Sequence, residues 1–201
     1  MIKNIVLCGV GGQGTVLASK LLAAAAMEKG FEVMSAETIG MAQRGGNVFS
    51  NIRISDGEAM YAPMIGTGEA DLILGFEPGE AVRMLPFLKE DGYVICNKRA
   101  VKPTTATLTG AAYDGAPMIE YLQKKVADGH LYIVDGDAAA ASLHNPRVLN
   151  VVLLGASVRT GALGLAEEDI LGVMDKVIKE KFVELNKKAF MYTSFPPVHG
   201  V

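Results

Sequence analysis

The chain has no tryptophan, and aromatics make up only 6% of its 201 residues. That excludes a platform of rings on which nucleobases could stack. Nineteen basic residues face 22 acidic ones, for a net charge of -3, and the basic residues form no run. Nothing in that balance favours DNA or RNA as a partner. There are two cysteines, Cys8 and Cys96, far apart and outside any CxxC. They cannot supply the four thiolates of an iron–sulfur cluster, and they read as small buried apolar residues. The three histidines, His130, His144 and His199, lack the spacing of metal ligands, so no metal site is expected. No stretch approaches the roughly 18 uncharged apolar residues of a membrane span. The start of the chain lacks the charged-then-apolar layout of a signal peptide. A cytoplasmic protein is expected, engaging neither membrane nor nucleic acid.

What the chain does have is apolar content. Half its residues are hydrophobic, enough to bury a sizeable core against the entropy of ordering. The segment 2–8 is rich in β-branched residues and ends in Gly9, Gly11, Gly12 and Gly14 around Gln13. Residues 15–27 then read as a helix with an alanine run. Strand, glycine turn and helix open a doubly wound α/β fold, with unpaired helix N–H groups offered to an anion.

Further strands are expected at 31–36, 47–55, 71–75, 93–96 and 131–134. The strand at 47–55 alternates and should have one wetter face. No helix fits between it and the strand before it, so an antiparallel or edge strand is expected there. Helices are expected at 78–85, 115–127 and in the alanine run after Asp137. From 146 the chain reads as helical to about 192. Residues 147–163 are apolar nearly all round, which implies burial on most faces or cover by a partner. Residues 167–181 form an amphipathic stripe with acids first and lysines last, as the helix dipole favours. The expected fold is a Rossmann-like, doubly wound, mostly parallel sheet with an antiparallel edge and C-terminal helices, in one domain over 1–201.

A second glycine cluster follows the second strand: Gln43, Arg44, Gly45 and Gly46. An arginine between small residues can reach a carboxylate or phosphate with its planar fork, and Glu37 or Glu77 could pair with it. Lys98 and Arg99 follow the strand at 93–96, where ligands gather in open α/β sheets, and form a candidate phosphate patch. No nucleophile–base–orienter set and no carboxylate pair is evident, so no catalytic residue is assigned to this chain.

The run Gly9-Val-Gly-Gly-Gln-Gly14, then Ser35-Ala-Glu-Thr-Ile-Gly-Met-Ala-Gln-Arg-Gly-Gly46, resembles the γ components of 2-oxoacid:ferredoxin oxidoreductases. It is most similar to the small β subunits of the indolepyruvate branch. The resemblance extends through Asp71-Leu-Ile-Leu-Gly-Phe-Glu-Pro78 and Asn150 to Gly161. It implies oxidative decarboxylation of an aryl 2-oxoacid such as indolepyruvate to an acyl-CoA, with electrons passed to ferredoxin. It implies a large α subunit carrying thiamine diphosphate, magnesium and the iron–sulfur clusters. Coenzyme A is the co-substrate, and Gly9, Gly11, Gly12, Gln13, Gly14, Gln43, Arg44, Gly45 and Gly46 would line the shared site. Two other readings stay open. Gly9, Gly11 and Gly14 also satisfy G-x-G-x-x-G, and Glu37 lies about 20 residues on, as in an NAD(P)-dependent oxidoreductase acting alone. The chain could also be a ligand-binding or interaction module without catalysis.

Overall fold

The computed structural model describes residues 1–39, 46–102, 113–193 and 197–198. Its strands are β1 (Ile2–Val10), β2 (Glu32–Ile39), β3 (Asn47–Ser55), β4 (Ala70–Gly75), β5 (Leu88–Asn97), β6 (Leu131–Val134) and the two-residue β7 (Pro197–Val198). The helices are α1 (Thr15–Glu28), α2 (Pro78–Met84), α3 (Ala116–Lys125), α4 (Gly136–Ser142), α5 (Leu149–Arg159), α6 (Glu167–Val177) and α7 (Glu180–Phe190). The strand order is β2-β3-β1-β4-β5-β6-β7. Strands β1, β4, β5 and β6 form a parallel block. Strand β3 runs antiparallel to both its neighbours, and β7 antiparallel to β6. This is the mixed, mostly parallel sheet expected.

Strand β3 is interior, not an edge: it lies between β1 and β2. The connection through residues 40–46 is too short for a crossover helix, so the chain can only double back beside β2. The expected wet face of β3 is also covered. Asn51 is buried and its Nδ2 meets Met64 Sδ at 3.7 Å, while Arg53 Nη1 donates to the Ala62 carbonyl at 2.9 Å. The stretch after β3 folds back over these polar residues. Periodicity within β3 cannot reveal that.

Alternate residues of each central strand feed two cores, as the period of a strand requires. On one face Ile5, Leu7, Ile52, Leu72 and Leu74 pack with Leu21, Leu22, Leu154, Met174 and Phe190 of α1, α5, α6 and α7. On the other, Val6, Cys8, Ile73, Val94 and Cys96 pack with Ala81, Met84 and Leu122 of α2 and α3. Both faces are covered, so these strands read as continuous apolar runs.

The apolar stretch from 147 needs no partner to cover it. Asn150 to Val158 are all buried, and α5 touches α1, α4, α6, α7, β4 and β5 of its own chain. The helix is also shorter than expected, because Gly161 and Gly164 at positive φ turn the chain after Arg159, a common way to end a helix. The expected stripe at 167–181 divides at Ile178, which takes extended dihedrals with its side chain buried. No glycine or proline marks that break. Arg159 secures this end of the fold. It donates to the carbonyls of Phe190 (2.6 Å) and Tyr192 (3.2 Å) and pairs with Glu167 at 2.6 Å. No helix among the described residues is long and apolar enough to cross a membrane.

Candidate functional site

The carboxyl ends of β1, β4, β5 and β6 are stitched together by carboxamides. Gln13 Oε1 accepts from Val10 N–H at 2.7 Å, and its Nε2 donates to the Phe76 carbonyl at 3.0 Å. Asn97 Nδ2 donates to the same carbonyl at 3.3 Å, and its Oδ1 accepts from Gly136 N–H at 3.2 Å. Gln13 is thus a brace as well as a wall residue. Gly9 must lack a side chain, because a Cβ there would lie 2.7 Å from both Gln13 Oε1 and Phe76 Cβ.

Behind this brace α1 begins at Gly14, at φ 85°, with no side-chain cap. Among the described residues, the N–H groups of Gly12, Gly14, Thr15 and Val16 donate to nothing. Such a run of free N–H groups at the start of a helix is an anion cradle. It opens into a cleft of about 430 Å³ lined by Gly12, Gln13 and Gly14. Asn97, Arg99, Gly136, Asp137, Arg147 and Asn150 complete most of its wall. Gly12 has open space where a Cβ would stand, so a ligand can approach the main chain there.

The two glycine loops meet. Gly11 N–H donates to the Gly46 carbonyl at 2.9 Å, and Val10 is the register partner of Asn47. Gln43, Arg44 and Gly45 lie outside the described residues; Gly46 marks where that loop joins the site.

The candidate phosphate patch is divided by its partners. Arg99 lines the cleft and pairs with Asp137 at 2.9 Å, while Lys98 pairs with Asp135 at 3.4 Å. Asp135 also caps α4 through Ala138 N–H at 2.9 Å. That bond, with Lys98 beside it, holds its carboxyl below the usual range. Both cations are therefore partly neutralised. Glu77 is 1% exposed and caps α2, accepting from Glu80 N–H at 2.9 Å and from the Tyr113 hydroxyl at 2.6 Å. These bonds give it a structural role in α2.

Cys8 and Cys96 are both in register with Gly75, one on each side. Two strand spacings separate them, roughly 9.6 Å, beyond the reach of a disulfide. Burial pushes both thiols up, and Cys96 Sγ–H donates to the Asn97 carbonyl at 3.3 Å. Raised thiols stay protonated near neutrality, and the thiolate is the nucleophile. The folded protein should therefore take up no iodoacetamide at pH 8, with both sites alkylated only in denaturant. Mass spectrometry of the intact chain checks this, and rapid labelling of either site in the native protein would contradict it. Among the described residues, no three His, Cys, Asp or Glu converge as metal ligands.

Sequence reading missed Asn97, Gly136, Arg147 and Asn150. Asn150 carried one usable signal: it is a lone amide at the head of a run of apolar residues. Its Nδ2 donates to the Gly14 carbonyl at 3.3 Å, fixing the start of α1.

The nicotinamide reading fits this geometry poorly. In that fold the acid that grips the ribose ends the strand beside β1. Here β3 intervenes, and Glu37 is in register with Ser50, itself the partner of Leu7. The acid is displaced by a whole strand.

A family model described as pyruvate ferredoxin/flavodoxin oxidoreductase matches residues 4–194. The chain is 36% identical over 187 residues to an indolepyruvate oxidoreductase subunit IorB of Pyrococcus horikoshii, covering 93% of this chain and 92% of that one. It is 37% identical over 190 residues to the same-named subunit of Thermococcus kodakarensis, with 93% and 92% covered. Among solved structures, the γ subunit of a keto/oxoacid ferredoxin oxidoreductase from Geobacter sulfurreducens superposes with a TM-score of 0.64. It is 26% identical, with 94% of each chain covered.

Proposed function

The chain belongs to the pyruvate ferredoxin/flavodoxin oxidoreductase family and is a subunit of a 2-oxoacid:ferredoxin oxidoreductase, and from that we propose that it is the small subunit of the indolepyruvate branch. The complex would oxidise an aryl pyruvate to the aryl-acetyl-CoA and carbon dioxide, passing electrons to ferredoxin. Thiamine diphosphate with magnesium and the iron–sulfur clusters would reside on a larger partner. The chain's two cysteines flank Gly75 in a packed core, so a four-thiolate cluster must draw its ligands elsewhere.

This chain's part is to seat CoA. The observation that carries this is the set of free N–H groups of Gly12, Gly14, Thr15 and Val16, opening into the cleft at the carboxyl edge of the sheet. A pyrophosphate is the ligand such a run suits. Gln13 and Asn97 hold the run in place through Phe76. The loop carrying Gln43 and Arg44, anchored at Gly46, would form the side of the site that the partner completes.

Co-expression with the larger subunit tests the proposal. A brown complex should form and reduce ferredoxin only when indolepyruvate and CoA are both present. Turnover by the isolated chain with NAD(P), or failure to associate with the larger subunit, would overturn it.

A further inference from the structure

The two edges of the sheet are built differently. An edge strand exposes unpaired main-chain groups that another strand can bond, and proteins blunt such edges with short strands, proline, lysine or bulges. At one edge β7 has two residues, and the first is Pro197, which has no N–H. At the other, β2 runs for eight residues in unbroken register with β3. It holds no proline, glycine or lysine, and no described strand lies beyond it.

The ladder fixes which groups of β2 are free. Gly11 N–H donates to the Gly46 carbonyl and Asp56 N–H to the Met1 carbonyl. Bonding alternates along antiparallel strands, so the odd-numbered residues from Met1 to Gly11 are the ones bonded to β3. Asn51, Arg53 and Ser55 of β3 therefore turn towards β2, where Ala36, Met34 and Glu32 meet them. Val33, Ser35 and Glu37 direct their N–H and C=O groups out of the sheet. Ser35 and Glu37 are exposed, and Val33 is half-buried against the larger core.

Charge chooses the occupant. Glu32 and Glu37 are exposed, and no ion pair among the described residues includes either. Their odd spacing puts them on opposite faces of β2. Pairing with a second copy would set two carboxylates from each β2 on one ribbon that holds no cation, which is unfavourable. A basic strand meets the same carboxylates favourably. Strand β2 also leads into the loop that Gly46 ties to the site. A segment docked along β2 thus reaches the side that the larger subunit would complete.

We propose that an extended segment of the larger subunit, with a lysine or arginine on each face, adds to β2 as a further strand of the sheet. This rests on the reading that the chain is the small subunit of such a complex. Main-chain bonds to Val33, Ser35 and Glu37 supply affinity, and the ion pairs with Glu32 and Glu37 select the partner.

Hydrogen exchange tests this when read residue by residue on the free chain and on its complex with the larger subunit. The amides of Met34 and Ala36 should be protected in both. Those of Val33, Ser35 and Glu37 should exchange freely in the chain alone and about a hundredfold more slowly in the complex. If the complex forms and these three amides do not slow, the proposal is overturned while the subunit assignment stands. A complex that fails to form removes both. A free chain that dimerises with the three amides already protected gives the edge to a second copy and also overturns the proposal. Ser35→Pro removes one outward N–H and leaves the bonds to β3, a place where proline is tolerated. It should weaken the complex about tenfold. The double variant Glu32→Lys with Glu37→Lys leaves the main chain untouched and should weaken it about a hundredfold. Unchanged affinity in the double variant rules out the basic partner.

Discussion

Gly155→Ala should lower the thermal unfolding midpoint by about 6–12 °C, the shift that a loss of about 3 kcal/mol produces in a chain of this size. A Cβ at Gly155 would run into the carbonyl of Phe190, both its oxygen and its carbon. The obstacle is main chain, so no side-chain rotation relieves it. Phe190 O is also the acceptor for Arg159 Nη2 at 2.6 Å. Moving it would disturb the bond that closes the end of α7, a helix whose Phe190 is fully buried in the larger core. Gly172→Ala is the internal control. A Cβ at Gly172 in α6 meets nothing within 4 Å, so this variant should gain roughly 0.5–1 kcal/mol from helix propensity. Calorimetry on the two proteins should give shifts of opposite sign. Equal shifts would mean that α5 and α7 are not in backbone contact at Gly155.

Gly14→Ala should cost at least about a hundredfold in CoA-dependent turnover of the complex, the scale expected when a binding group is displaced by about 1 Å. Two effects combine. Gly14 sits at φ 85°, which costs a side-chain-bearing residue roughly 1–2 kcal/mol. Its Cβ would also lie 2.6 Å from Asn150 Nδ2 and 3.0 Å from Asn150 Cγ. Either the first turn of α1 or the head of α5 must shift, and both line the cleft. Gly57→Ala isolates the strain. Gly57 has nearly the same φ, 82°, with nothing within 4 Å of a Cβ. That variant should lose stability to a similar degree while keeping its KM for CoA. If the two variants have the same kinetics, the contact with Asn150 has no bearing on the cleft.

The parallel block was legible because both its faces are buried, and continuous apolar runs such as those in β1, β4 and β5 announce that condition directly. The position of β3 was legible only in part. The short link through 40–46 demands a reversal, but reversal alone does not say whether the returning strand ends up inside or outside the sheet. The breadth of α5 misled for a related reason. An all-apolar helix needs cover, and sequence cannot say whether the cover comes from α6 and α7 or from another chain. The glycine loop was visible as chemistry, whereas the residues opposite it were not. Asn97, Arg147 and Asn150 reach the cleft from elements separated from the glycine loop by 80 residues or more. Their convergence depends on the strand order, which local patterns do not encode.

The hydrogen bond from Gly11 N–H to the Gly46 carbonyl bears on how this site could change over time. Donor and acceptor are both main chain, so no side-chain exchange removes them. Only a proline at position 11 would delete the donor. The attachment of the second glycine loop beside the first therefore persists whatever side chains that loop carries.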